Sequence, residues 1–580
     1  MADATSIVIR NGTIVDGTGG QPYRGDVAII GDRIVEVGTV TIKGDREIDA
    51  TGLLITPGFV DIHTHYDAQA MWSNRLDPSS WNGVTTAMIG NCGVGFAPCK
   101  PADREMLVAL MEGVEDIPEV VMTEGLDWNW ETFPDFLDRL DARQFDLDLV
   151  AQVPHAAIRV YVMGERGFQR EPSTPAERAE MARLTVEGMK AGAVGFSTSR
   201  AIAHKTLAGE PTPTLGSAEE ELAVIAEAVG DYGKGWLQVI SDFDEPEEEF
   251  ALLRRVAERS KGRAISMTFA QRENDPKRYK RLLELLDEAN KDGVKMLAQV
   301  MGRPIAINLG YELSINPFCE RPSYKAIAHL PFAERLAILA TPEMREKLLA
   351  ETTEDPMLKR RLNTYTKMFE LGDPADYEPT PEDSIQARAD AAGIPVESFV
   401  YDLLLQKGGK TTLYRPVTNY VEGNLDVCLE MMQHPNTVMG LGDGGAHYSF
   451  ICDSSTVTHS LMHWTRDRTR GAKVPLEWMV RRLTSDAANA IGLADRGVIA
   501  PGYKADVNII DYAGLAIGPL EVAYDLPAGG KRLIQHVKGY LATILSGVVV
   551  TESGKATGTL PGRLVRGVQA APETARMAAE

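Results

Sequence analysis

Eight short apolar runs recur along the middle of the chain, separated by stretches of helical periodicity. They are FVDIH (59–63), VTTAMIG (84–90), LDLVAQV (147–153), AVGFST (193–198), WLQVIS (236–241), AISMTF (264–269), VKMLAQV (294–300) and TVMGLG (437–442). Such runs read as strands buried on both faces, and their alternation with helices implies a parallel sheet. Eight units close most naturally as an α/β fold of the (β/α)8, TIM-like kind. Two helix starts carry signals: Thr174-Pro175-Ala176-Glu177 has the form of a capping box with proline at the first helical position, and Ser217 with Glu220 repeats the box. The seventh connection, 301–436, is far too long for an ordinary crossover and reads as a long helical insertion before the last barrel strand.

The two ends of the chain follow another pattern. SIVIRNGTIVDGTGGQPYRGDVAIIGDRIVEVG interrupts β-branched runs with Asn-Gly, Gly-Gly and Gly-Asp, as hairpins do, and a related pattern returns in GVIAPGYKADVNIIDYAGL and KGYLATILSGVVVTESGK. Both ends are therefore expected to build one small β-sandwich. Its N-terminal part is 1–56 and its C-terminal part with the tail 495–580, around a barrel over 57–494. With 580 residues, 44% hydrophobic and 24% charged, the chain has material for both bodies.

A net charge of −22 disfavours nucleic acid, whose phosphates need a basic surface. MADATSIVIRNG lacks the basic-then-apolar order of a secretory signal, and no apolar run reaches the roughly 18 residues of a membrane helix. The expectation is a cytoplasmic protein without membrane or nucleic-acid partners. Five scattered cysteines give no disulfide framework.

In a barrel of this kind, chemistry gathers where strands end. His63 and His65 close the first run, two positions apart, so alternation points both imidazoles to the same side. Two histidines at a strand end are also common on plain surfaces, and Asp443 in MGLGDGGAH could be no more than a turn-forming Asp-Gly. Barrel closure, however, brings strand eight beside strand one. Asp443 and the two histidines would then converge, a set able to hold a divalent ion while the carboxylate takes a proton from water and returns it to a leaving amine.

PGFVDIHTHYD, GVTTAMIGNCGVGFAPC, GFSTS, GDGG and GVIAPGYKADVNIID together resemble the amidohydrolase superfamily, and within it the N-acyl-D-amino-acid deacylase (D-aminoacylase) branch, over nearly the whole chain. The resemblance implies a metal-bearing TIM-like barrel with a composite β-sandwich. It implies His63 and His65 as strand-one metal ligands, Asp443 as metal-binding and catalytic aspartate, and Cys92 of GNCG as a cysteine ligand. His155 in VPHAAIRVYVMG matches a strand-three histidine of the family.

The pattern then departs from the family. Where metal histidines are expected on strands five and six, the chain has Ile240 or Ser241 and Met267, and VGFSTSR offers no strand-four lysine. One Zn2+ is therefore expected rather than two. His204 and His447 lie on loops of the same rim as possible replacements, and Arg200 and Arg303 could grip a substrate carboxylate or equally serve as salt-bridged surface arginines. His155, Arg200 and His447 are the expected substrate contacts.

The function expected is hydrolysis of a C–N amide bond in a small substrate, an N-acyl amino acid or related amide, with Asp443 as general acid and base. The alternatives are a noncatalytic binding or assembly protein of the same fold, or a hydrolase of a lactone, carbamate or cyclic amide. A homo-oligomer is expected from the long insertion.

Overall fold

The computed structural model describes residues 6–573. MADAT and the last seven residues, on which the readings of the N-terminus and of the tail partly rest, lie outside the described residues. The eight expected runs form the strands Phe59–Asp61, Val84–Ile89, Asp148–Pro154, Gly195–Arg200, Trp236–Ser241, Ile265–Thr268, Met296–Val300 and Thr437–Met439. They pair in parallel in that order. Beyond the last ladder residues the ring is closed by two backbone bonds: Asp443 N–H donates to the His63 carbonyl at 3.0 Å and His65 N–H to that of Gly444 at 2.7 Å. The fold is the (β/α)8 barrel expected.

Residues that face each other across a parallel ladder share a side, which sorts the barrel interior into layers. Near the base, Val60, Ile62, Met88, Val150 and Val438 pack against Ala487, Ala488 and Leu493, which plug the bottom. Below that plug sits a buried ion cluster: Asp148 accepts from Arg496 at 2.9 Å and from Lys504, and Lys504 lies 3.3 Å from Asp506. Above it comes a polar layer in which Gln238 registers with both Ser197 and Ser266, and Gln299 with Thr268.

The capping box at Thr174 forms as expected, with Glu177 N–H donating to the Thr174 hydroxyl and the Glu177 carboxylate accepting from Thr174 N–H. The second box does not form. The helix Glu219–Tyr232 starts one residue later than Ser217 requires, its N-cap is Ala218, and the Ser217 hydroxyl has no partner. Glu219, Glu220 and Glu221 fill its first turn, so the helix start is favoured by charge rather than by a cap.

The insertion holds more than helices. Ala306–Leu309, Leu413–Pro416 and Phe369–Glu370 make a three-stranded antiparallel sheet with its own core of Ile307, Leu309, Phe318, Tyr401 and Leu404. It grips the loop after strand eight: Asn308 N–H donates to the Phe450 carbonyl at 2.7 Å, and buried Arg303 donates to the Cys452 carbonyl at 2.6 Å and to Asp453 at 2.9 Å.

Both chain ends meet in one nine-stranded sheet. Leu54–Pro57 lies between Ser6–Ile14 and Val507–Ile510, pairing with each, and the sheet encloses a core of Ile7, Ile9, Val27, Ile29, Ile55, Val507, Ile509 and Ile544. Gly58 alone separates Leu54–Pro57 from the first barrel strand. No described helix is long and apolar enough to cross a membrane.

Candidate metal centre

The first ladder stops at Asp61, so His63 and His65 sit two and four residues past it, in an extension held by Thr64, whose N–H and hydroxyl both donate to the Met88 carbonyl. The Asp61 carboxylate accepts from His63 N–H at 3.1 Å. On the other side of the seam, the glycines of GLGDGG allow a close approach. A Cβ on Gly442 would lie 1.9 Å from Asp61 Oδ2, and one on Gly445, at φ +87°, would lie 2.8 Å from the His65 backbone.

The outcome is convergence. His63 Nε2 and His65 Nε2 lie 3.7 and 3.8 Å from the same oxygen, Oδ1 of Asp443. Cys92 Sγ is 3.2 Å from His63 Nε2, and the ligand atoms of His63, His65 and Cys92 all lie within 4.8 Å of one another. Cys92 reaches this place from a single turn after strand two, at φ +56°, with its N–H bonded to Gln238 Oε1 and that of Gly93 to Ser197 Oγ. The polar interior layer thus shapes the turn that carries the thiol. Gln299 Oε1 accepts from His63 Nδ1 at 2.7 Å, which leaves the Nε2 lone pair facing Cys92 and Asp443.

Charge and burial describe what such a set can hold. Burial pushes His63 down to about 4, and His65 well below its ordinary value, so both rings are neutral donors of a lone pair. Burial also pushes Asp443 well above the carboxylate range, reinforced by Asp453 and Asp61, and raises the Cys92 thiol, reinforced by Glu115 and Asp443. Asp443 Oδ1 has no hydrogen-bond partner, and among the described residues Asp443 has no lysine or arginine as an ion-pair partner. Two neutral imidazoles and a thiol within 4.8 Å of one another, with a carboxylate oxygen beside both imidazoles, fit a divalent cation of the zinc type, whose charge would reverse the cost of ionising the acids.

The other expected residues are placed as follows. His447, at φ +54°, joins the cluster from the loop after strand eight, with Nε2 3.7 Å from Glu115 Oε2. His204 hydrogen-bonds Ser199 through Nδ1 at 2.8 Å; burial, ahead of all other causes, lowers it to about 4. His155 is fully buried between Thr198 Oγ1 at 2.8 Å and Glu221 at 3.1 Å. Arg200 is tied to the Glu249 carboxylate and the Ser217 carbonyl. The structure therefore brings together His63, His65, Cys92, Asp443 and His447, while His155 and Arg200 are engaged with carboxylates from neighbouring helices. Met267 packs in the helix-side core and Ser241 bonds Glu249.

Sequence reasoning missed Glu115. It ends the helix Arg104–Glu115 and is 1% exposed, with Oε1 3.4 Å from His65 Nδ1. A signal was available: Glu115 continues the buried stripe of Leu107 and Met111 at four-residue steps.

The sequence profile of the amidohydrolase family matches residues 46–551. An uncharacterised protein of Mycobacterium tuberculosis is 26% identical over 592 residues, covering 95% of this chain and 92% of that protein. D-aminoacylase of Alcaligenes xylosoxydans xylosoxydans is 33% identical over 193 residues, 33% of this chain and 37% of that enzyme. The crystal structure of N-acyl-D-glutamate deacylase from Bordetella bronchiseptica, complexed with zinc and a phosphonate inhibitor, superposes with a TM-score of 0.62 at 21% identity, covering 97% of this chain and 100% of that one.

Proposed function

This chain belongs to the amidohydrolase family, with its likeness running to the D-aminoacylase branch, and from that premise we propose that it hydrolyses the amide of an N-acyl amino acid or a closely related small amide. As a member it is a hydrolase acting on carbon–nitrogen bonds other than peptide bonds. The observation that carries the finer reading is the approach of His63 Nε2 and His65 Nε2 to one oxygen of Asp443, with the Cys92 thiol alongside.

A single zinc ion would be held by His63, His65, Cys92 and Asp443, and when bound it supplies the Lewis acidity that polarises an amide carbonyl and acidifies water. Asp443 does the proton work: its carboxylate takes a proton from the attacking water and delivers it to the departing nitrogen. Backbone bonds from Asp443 N–H to His63 and from His65 N–H to Gly444 hold acid and imidazoles in register. One ion rather than two is supported by the strand-five and strand-six runs, WLQVIS and AISMTF, which contain no histidine.

The test is release of free amine from N-acyl-D- and N-acyl-L-amino acids, with esters and lactones alongside, by the zinc-loaded protein and by Asp443→Asn. We expect amide turnover in the wild type and a loss of about 10²- to 10⁴-fold in kcat in the variant, the range for a general acid–base group. A folded Asp443→Asn protein that keeps most of its kcat contradicts the assignment.

A further inference from the structure

We infer that Glu115 is the positioning residue of this centre, presenting His65 to the cation through Nε2 and fastening the loop that carries Asp443 and His447. The inference rests on the metal reading above. His65 Nε2 faces Asp443, so the lone pair must be on that nitrogen and the ring proton on Nδ1. A buried N–H needs an acceptor, yet His65 Nδ1 has no hydrogen-bond partner. The carboxylate facing it is that of Glu115, whose Oε1 lies 3.4 Å from Nδ1. Its other oxygen, Oε2, faces His447 Nε2 at 3.7 Å. Among the described residues, these two imidazoles are the only ion-pair partners of Glu115, although it is buried.

The backbone supplies the second half of the argument. His447 N–H donates to the Glu115 carbonyl at 2.5 Å, and the N–H of Ser449 donates to the Asp116 carboxylate at 2.8 Å. The helix therefore ends by clamping the loop after strand eight with two consecutive residues, Asp116 adopting a left-handed conformation at φ +53° to do so. An acidic helix end that was merely solvated would be exposed and would make neither contact. A carboxylate behind a metal-binding imidazole fixes its tautomer and strengthens it as a donor, and loss of such a partner usually weakens metal binding about 10- to 100-fold.

The experiment compares wild type, Glu115→Ala and Glu115→Gln as full chains, by zinc affinity in chelator competition and by the absorption of the cobalt(II)-loaded proteins, with circular dichroism to check folding. Zinc binding by Glu115→Ala should be about 10- to 100-fold weaker, with a shifted cobalt ligand-field spectrum. Glu115→Gln keeps an acceptor oxygen and should lie nearer the wild type, about 10-fold weaker. A folded Glu115→Ala protein with wild-type zinc affinity and an unchanged cobalt spectrum overturns the inference while leaving the metal reading intact. A wild type that takes up no zinc overturns both. Should Glu115→Ala not fold, Glu115→Gln decides: affinity and spectrum both equal to wild type sink the proposal.

Discussion

Lys504→Met tests how firmly the barrel base is tied to the terminal sheet. Lys504 is 4% exposed and lies beside Asp148 and 3.3 Å from Asp506. Arg496 is the other buried cation, paired with Asp148 and Asp495, so that the cluster sets two cations against Asp148, Asp495 and Asp506. The substitution leaves one buried cation facing three acids where there had been two. At an effective dielectric constant of about 20, the Lys504–Asp506 contact alone represents about 5 kcal/mol of attraction. The mutant is spared the desolvation of the ammonium group, so the net cost should fall near the 3–5 kcal/mol typical when one partner of a buried pair is removed. Urea unfolding at neutral pH, followed by circular dichroism and tryptophan fluorescence, reads that loss. Adding Asp506→Asn removes an acid left unpaired and should recover part of it. A loss below about 1 kcal/mol, or no coupling between the two substitutions, refutes the view that this cluster fastens the base.

Two further outcomes concern the centre itself. Gln299→Leu removes the acceptor at His63 Nδ1 and should weaken zinc binding about 10-fold or more, because the ring must either bury an unpaired N–H or turn its proton toward the cation; chelator competition showing wild-type affinity in a folded variant would count against this. The second outcome is a pH dependence. Burial, outweighing backbone bonds from His63 and Gly442, pushes Asp61 up to about 7. Its folded value exceeds its unfolded value, so in metal-stripped protein the contribution of Asp61 to stability is fully present below about 4 and erodes as pH rises, its loss being complete above about 7. A bound cation opposes that loss, so the gap in urea midpoint between zinc-loaded and stripped protein should widen from about pH 5 to about pH 8. A gap that stays constant or narrows argues against it.

The strands were legible because burial on both faces leaves an uninterrupted apolar run, as in VTTAMIG and LDLVAQV, and the boundaries found lie within two or three residues of those runs. The pair His63 and His65 was legible for its spacing, and Asp443 for its glycines. What escaped depended on distant partners. Nothing near Arg200 in sequence announces Glu249, nor does anything near His155 announce Glu221. The four-residue strands Ala306–Leu309 and Leu413–Pro416 are too short to stand out from the helices around them. Ser217 with Glu220 satisfied a local rule, but the acidic turn at Glu219 offered an alternative start one step along.

The terminal sheet has a consequence for how the protein is made. Leu54–Pro57 gains one neighbour, Ser6–Ile14, as soon as about the first tenth of the chain has left the ribosome, whereas Val507–Ile510 emerges only near the end of synthesis. Through that interval the strand leading into the two histidines presents a bare edge, and the barrel floor awaits Arg496 and Lys504. Pro57, which has no N–H to offer, and the short length of this strand limit what a wandering segment could attach there. The edge of the strand leading into His63 and His65 can therefore be completed only when Val507–Ile510 docks, late in synthesis.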